Sequence, residues 1–128
     1  MAISIVRLGS KRAKGEGVRV GSVRRPPRGV PKNAFAARDF YDTWLPQLAP
    51  SDALVRQAQS AESEREWSSF VKAYRREMSA PDASRLLDLL AALSHASAFS
   101  VGCYCEDETR CHRSVLRQLL KERGATLR

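Results

Sequence analysis

AFSVGCYCEDETRCHRSVLRQLLKERG, running from Ala98 to Gly124, is the stretch whose reading decides the fold. Ala98 to Cys105 reads as a strand, with Phe99, Val101, Cys103 and Cys105 on one face by the period of two. Glu106 to Arg110 is a polar turn. A helix follows from Cys111 or His112 to Arg123, with Val115, Leu116, Leu119 and Leu120 turned inward. Lys121 and Arg123 occupy its last turn, and Gly124 its C-cap. A strand, a short turn and a helix in that order imply an α/β fold, in which ligands bind beyond the carboxyl ends of the strands. All three cysteines, one of the two histidines and two arginines fall between Gly102 and Arg113.

Working outward, Ala2 to Leu8 is a short apolar strand bounded by Gly9. Ser10 to Gly17 is a basic loop. Val18 to Arg24 alternates, with Val18 and Val20 on one face and Arg19 and Gly21 on the other. The loop between them is too short for a helical crossover, so an antiparallel pair is expected. Arg25-Pro-Pro-Arg-Gly-Val-Pro-Lys32 cannot be regular structure. Asn33 caps an expected helix through Leu48 that carries Phe35, Phe40, Tyr41, Trp44 and Leu45. Ala49-Pro50-Ser51 is a break, and Ser51 or Asp52 caps a short helix to about Ser60.

Glu62 to Met78 is the clearest helix, because Trp67, Phe70, Val71, Tyr74 and Met78 form one apolar stripe. Asp82 or Ser84 caps the next, with Leu86, Leu87, Leu90 and Leu93 inward and His95 near its end. Ala125 to Leu127 reads as a short edge strand. The expectation is one domain over residues 1–128. Its fold is α/β, a small mixed, mostly parallel sheet of three to four strands packed by four to five helices.

The 128 residues suffice to bury a core without staples. A hydrophobic share of 43% excludes a disordered tail. The net charge of +8 favours anionic partners, either an anionic small molecule or nucleic acid. The charge also motivates an alternative function, a nucleic-acid-binding module without catalysis. No apolar run approaches the ~18 residues of a membrane span. Apolar residues precede basic ones at the N-terminus, the reverse of a secretory signal. A cytoplasmic location is expected. An odd number of cysteines gives no disulfide framework and points to thiols, metal ligands or catalytic groups.

The cysteine segment supports three readings. In the first, Cys111 at a helix N-terminus beside cations is an activated thiol. His112 is then its base, and Cys103 or Cys105 can resolve a mixed disulfide. Arg110 and Arg113, with Arg25, Arg28 and Lys32 from the proline loop, would hold a phosphate or carboxylate. The loop reaches Cys111 if the second and third strands are parallel neighbours. This reading calls for no cofactor and no metal, and expects Cys111 to titrate below ~8.5. The second reading is a small structural zinc site on Cys103, Cys105, Cys111 and His112, although the C-x-C and Cys-His spacings are tight. The third is buried structural thiols under a solvated turn. Cys111 to Arg117 also matches C-x₅-R, but the interval lacks glycine and reads as helix, so it cannot cradle a phosphate.

At these residues the chain resembles the YeaO-like family of unknown function (domain of unknown function 488). Arg25-Pro-Pro-Arg-Gly29 with Lys32 is similar to its R-x-P-R-G-x-x-K element. Trp44 to Ser51 is similar to its tryptophan followed by L-A-P-S. Trp67, Phe70, Tyr74 and Glu77 resemble its W-x-x-F-x-x-x-Y-x-x-E helix. Cys111-His-Arg113 resembles the C-H-R of one branch of the wider family. The resemblance covers most of the chain. It implies an α/β fold, and a single site that joins the cysteine segment to the basic loop.

Overall fold

The computed structural model describes residues 1–128. Its strands are β1 (Ile3–Arg7), β2 (Val18–Gly21), β3 (Thr43–Trp44) and β4 (Phe99–Cys103). Its helices are α1 (Asp52–Ser60), α2 (Glu64–Met78), α3 (Pro81–Leu93) and α4 (His112–Glu122). The fold is α/β. The sheet order is β1-β4-β2-β3 and every pairing is parallel. Register aligns Ile5 with Val101 and Val20 with Val101, so β4 is flanked on both sides.

The expected antiparallel hairpin of the first two strands is therefore corrected. β4 lies between them, and the loop from Leu8 to Gly17 carries the chain back to the start of β2. Two features allow that return without a helix. Gly17 adopts φ +82°, and a Cβ there would lie 1.9 Å from the Ala98 carbonyl oxygen. Beside it, Arg19 is fully buried and donates from Nε and Nη2 to Glu16, at 2.8 and 3.0 Å. Arg19 Nη1 also donates to the Ser10 and Asp39 carbonyls. Glu16 accepts as well from Ser100 Oγ at 2.6 Å and from the Ala13 amide. Each partner of this buried pair is satisfied, which is the condition for a buried charge to be tolerated. The alternation of Val18 to Arg24 had put Arg19 opposite the valine face. The structure buries it there under the return loop, and leaves Val18 exposed.

The expected helix from Asn33 to Leu48 does not form. Short 3₁₀ turns occupy Lys32–Ala34 and Pro46–Leu48, with β3 between them. Asp39 at φ +62° reverses the chain, and the Phe40 amide closes back on the Phe35 carbonyl. The aromatic residues then serve the sheet rather than a helix face. The Tyr41 ring lies on Gly21, where a Cβ would sit 2.4 Å from it.

The other helices follow their sequence signals. Ser51 caps α1 by accepting from the Leu54 amide, and Ser63 caps α2 by accepting from Glu66. For α3 the cap is Ala80 with Pro81 at the first turn, rather than Asp82 or Ser84. Leu87 and Leu90 are buried on α3, whereas Leu93, expected inward, is exposed. Val115, Leu116, Leu119 and Leu120 of α4 are buried as expected. Leu127 makes a single parallel bridge to Ile3 at the sheet edge.

The main core joins Ile3, Val20, Phe99 and Val101 of the sheet to apolar residues from all four helices. A smaller cluster of Leu8, Val23, Tyr41, Cys103 and Cys111 closes the carboxyl end of the sheet. No helix is long and apolar enough to cross a membrane.

Candidate thiol site

β2 and β4 are parallel neighbours, so their carboxyl ends emerge together and bring Val23 to Arg25 beside Cys103 to Cys105. A cleft of about 240 Å³ opens there, lined among others by Arg24, Arg25, Pro50, Cys105 and His112. A smaller hollow of about 100 Å³ adjoins it and reaches Phe70, Arg110 and Cys111.

Two family-like segments build one wall. Tyr74 Oη donates to the Leu48 carbonyl at 2.7 Å, and the Ser51 amide donates to Glu77 at 2.9 Å. Arg24 donates to the Ala49 and Pro50 carbonyls. The L-A-P-S turn is thereby fixed from α2 and from the end of β2, and Pro50 faces the cleft.

The sulfurs converge on the floor. Cys103 Sγ lies 2.7 Å from Cys111 Sγ, and both residues are buried. Cys105, just past the strand, is the exposed thiol. Expecting it on the strand face with Cys103 overstated the strand, which ends at Cys103.

His112 is enclosed, with the Tyr74 ring edge-on at 5.6 Å. Its Nε2 lies 2.8 Å from the Ser22 carbonyl, which can only accept. Nε2 therefore carries the proton, and Nδ1 is a lone pair 3.7 Å from Cys111 Sγ. Burial lowers the imidazole to about 4, against the opposing pull of the Ser22 carbonyl, so it is neutral at pH 7.

Arg113 is 3% exposed and forms no carboxylate ion pair. Its Nη2 donates to the Cys105 carbonyl at 2.5 Å, and its Nε has no partner. Burial works against its charge, but the Cys103 and Cys111 sulfurs, with the Glu108 carboxylate, outweigh it and raise its pKa.

The thiols divide unequally. The neighbouring Cys103 and Cys111 thiols, with His112 and Arg113 behind them, outweigh burial and hold Cys105 well below the ordinary thiol value. Cys111 is lowered by Cys103, yet Cys105 and burial together raise it to about 11. Cys103 is raised, first by its hydrogen bond to Cys105. The expectation that Cys111 titrates low is corrected: its helix-terminal position is overridden by burial and by the neighbouring sulfur.

Of the expected anion ligands, Arg25 and Arg110 reach this region. Arg25 pairs with Asp52 at 2.9 Å. Arg110 pairs with Glu64 and lies over the Trp67 ring. Lys32 lines a different hollow with Trp44 and Tyr41, and Arg28 lines neither part of the cleft. Sequence reasoning missed Ser22, whose carbonyl fixes the His112 tautomer, and the cleft-lining Pro50, Val55 and Gln59. No motif announces these residues, because they meet His112 only through the fold. Donor atoms of Cys103, Cys111 and His112 lie within 4.8 Å of one another and could hold a metal ion.

A family model, DUF488-N3a, described as the active DUF488-N3 subclade, matches residues 3–124. No curated protein and no solved structure matches the chain.

Proposed function

The chain belongs to the DUF488-N3a family, and on that footing we propose that its cleft is a thiol-dependent site for a small ligand bearing a phosphate or carboxylate. One observation carries the reading: a buried arginine without a carboxylate ion pair donates to the Cys105 carbonyl, beside the paired Cys103 and Cys111 sulfurs. A guanidinium keeps its proton, so a buried one requires an anion. Glu108 supplies part of that compensation, and a thiolate shared among Cys103, Cys105 and Cys111 would supply the rest.

Exposure assigns the attacking sulfur to Cys105. Cys111 and His112, first read as nucleophile and base, become its supporting pair. His112 Nδ1 accepts from Cys111 and orients it beside Cys103. Arg25 and Arg110 at the rim supply guanidinium groups for the ligand's anion. The subclade's description as active agrees with chemistry at this site.

Alkylation with iodoacetamide across pH, read by peptide mass, tests the proposal. Cys105 is expected to react with a midpoint below ~8.5, while Cys103 and Cys111 stay protected. Inorganic phosphate should slow the reaction. A midpoint at or above the free-thiol value removes the thiolate.

A structural zinc ion is a second reading. The clustered donor atoms favour it. So does the Nε2 hydrogen bond to Ser22, because ligand histidines donate their other N–H in this way. Elemental analysis of purified protein decides it: stoichiometric zinc supports the reading, and its absence removes it.

A further inference from the structure

We infer that the three cysteines form a thiol–disulfide relay, in which exposed Cys105 takes electrons to a small carboxylate-bearing disulfide and the buried Cys103–Cys111 pair ends as the protein disulfide. The inference rests on the thiolate reading above and names a substrate class for it. Its starting observations are geometric. Cys103 and Cys111 sulfurs are side by side at 2.7 Å, both out of solvent, and the third thiol stands at the cleft. Two buried thiols alone have no route to an oxidant, and a lone exposed thiol has no partner to resolve it. The set supplies both.

The steps balance. The Cys105 thiolate attacks one sulfur of R–S–S–R; that bond breaks, one RS⁻ leaves, and Cys105 carries the other half as a mixed disulfide. Cys111 Sγ then attacks Cys105 Sγ, displaces the second RS⁻, and gives its proton to the departing thiolate. Cys103 Sγ next attacks Cys111 Sγ and displaces Cys105, losing its proton to solvent. The reagent is reduced to two thiols, and the protein is oxidised by the same two electrons.

The surroundings order these steps. Cys105 and Cys111 line the same hollow, so a mixed disulfide on Cys105 is presented to Cys111. Capping Cys105 removes its negative charge. Cys111 is then the next nucleophile, and its proton leaves with the second RS⁻. In the last step the leaving group is Cys105, the thiol held lowest of the three, and lower-pKa thiols leave faster. The relay ends with the Cys105 thiolate restored beside Arg113. Arg25 and Arg110 at the rim select a disulfide that carries carboxylates.

The test treats the reduced full chain with oxidised glutathione at neutral pH, quenches with N-ethylmaleimide and maps the products by mass. The expected product contains a Cys103–Cys111 link, about 2 Da lighter than the reduced pair, and carries one N-ethylmaleimide on Cys105. Cys105→Ser should slow its formation by roughly tenfold or more, since the entry thiol is gone. Cys103→Ser should stop the relay at a Cys105–Cys111 link. A stable glutathione adduct on Cys105 that goes no further overturns the relay but leaves the thiolate reading intact. Unreactive Cys105, towards both glutathione and iodoacetamide, overturns both. Stoichiometric zinc protecting all three thiols also overturns the relay.

Discussion

A buried arginine cannot discharge itself, so the groups around Arg113 must answer for it. At the residue scale the thiolate reading would make the guanidinium the organiser of the thiols, rather than one ligand among several for an external anion. Arg113→Met should raise the alkylation midpoint of Cys105 by on the order of one unit, because a nearby cation typically shifts an anion by one to three. Arg113→Lys should keep most of the lowering. Labelling profiles of both variants, with melting curves to confirm folding, check this. Equal midpoints in all three proteins would deprive Arg113 of the role. The sequence reads Arg113 as a ligand for a phosphate or carboxylate. Its burial depends on where α4 docks, which no local pattern encodes.

At the scale of elements, α2 and the L-A-P-S turn explain each other. Tyr74 and Glu77 sit on one helix face and hold the Leu48 carbonyl and the Ser51 amide. Tyr74→Phe leaves that buried carbonyl unpaired and should cost about 1–3 kcal/mol in urea unfolding. It should also slow Cys105 labelling if Pro50 drifts into the cleft; unchanged stability would show that the bond contributes little. The α2 stripe was legible because its period is local. The segment from Asn33 to Leu48 was misread for the converse reason. Its aromatic spacing satisfies a helix, but the tertiary fold uses Tyr41 to cover Gly21. Gly21→Ala places a methyl against that ring, and should cost about 1–3 kcal/mol through overpacking. Adding Tyr41→Ala should recover part of the loss, which a double-mutant cycle would read. Strict additivity would exclude the contact.

At the scale of the whole molecule, the buried Glu16–Arg19 pair joins the return loop, β2 and β4. Burial raises the Glu16 carboxyl, but hydrogen bonds from Arg19, Ser100 and Ala13 overcome it and bring it from 4.5 to about 2. The unfolded chain therefore takes up this proton before the folded one does. The resulting stabilisation, on the order of 3 kcal/mol, is full above about pH 4.5 and lost as pH falls through about 2. Glu16→Gln should lower stability at neutral pH and flatten the acid limb of an unfolding-midpoint-versus-pH curve. A wild-type curve flat from pH 5 to pH 2 would contradict the pairing.

The sequence by itself determined the α/β class, the four helices α1 to α4 and the clustering of the cysteines with His112 in one segment. Each of these rests on periodicity, capping or clustering within a few turns of chain. Only the tertiary structure decided that β4 inserts between β1 and β2, that Arg19 and Arg113 are buried, and that Cys105 rather than Cys111 is the exposed sulfur. Those outcomes depend on which segments, distant in sequence, exclude water from one another. Burial in turn sets which groups carry charge.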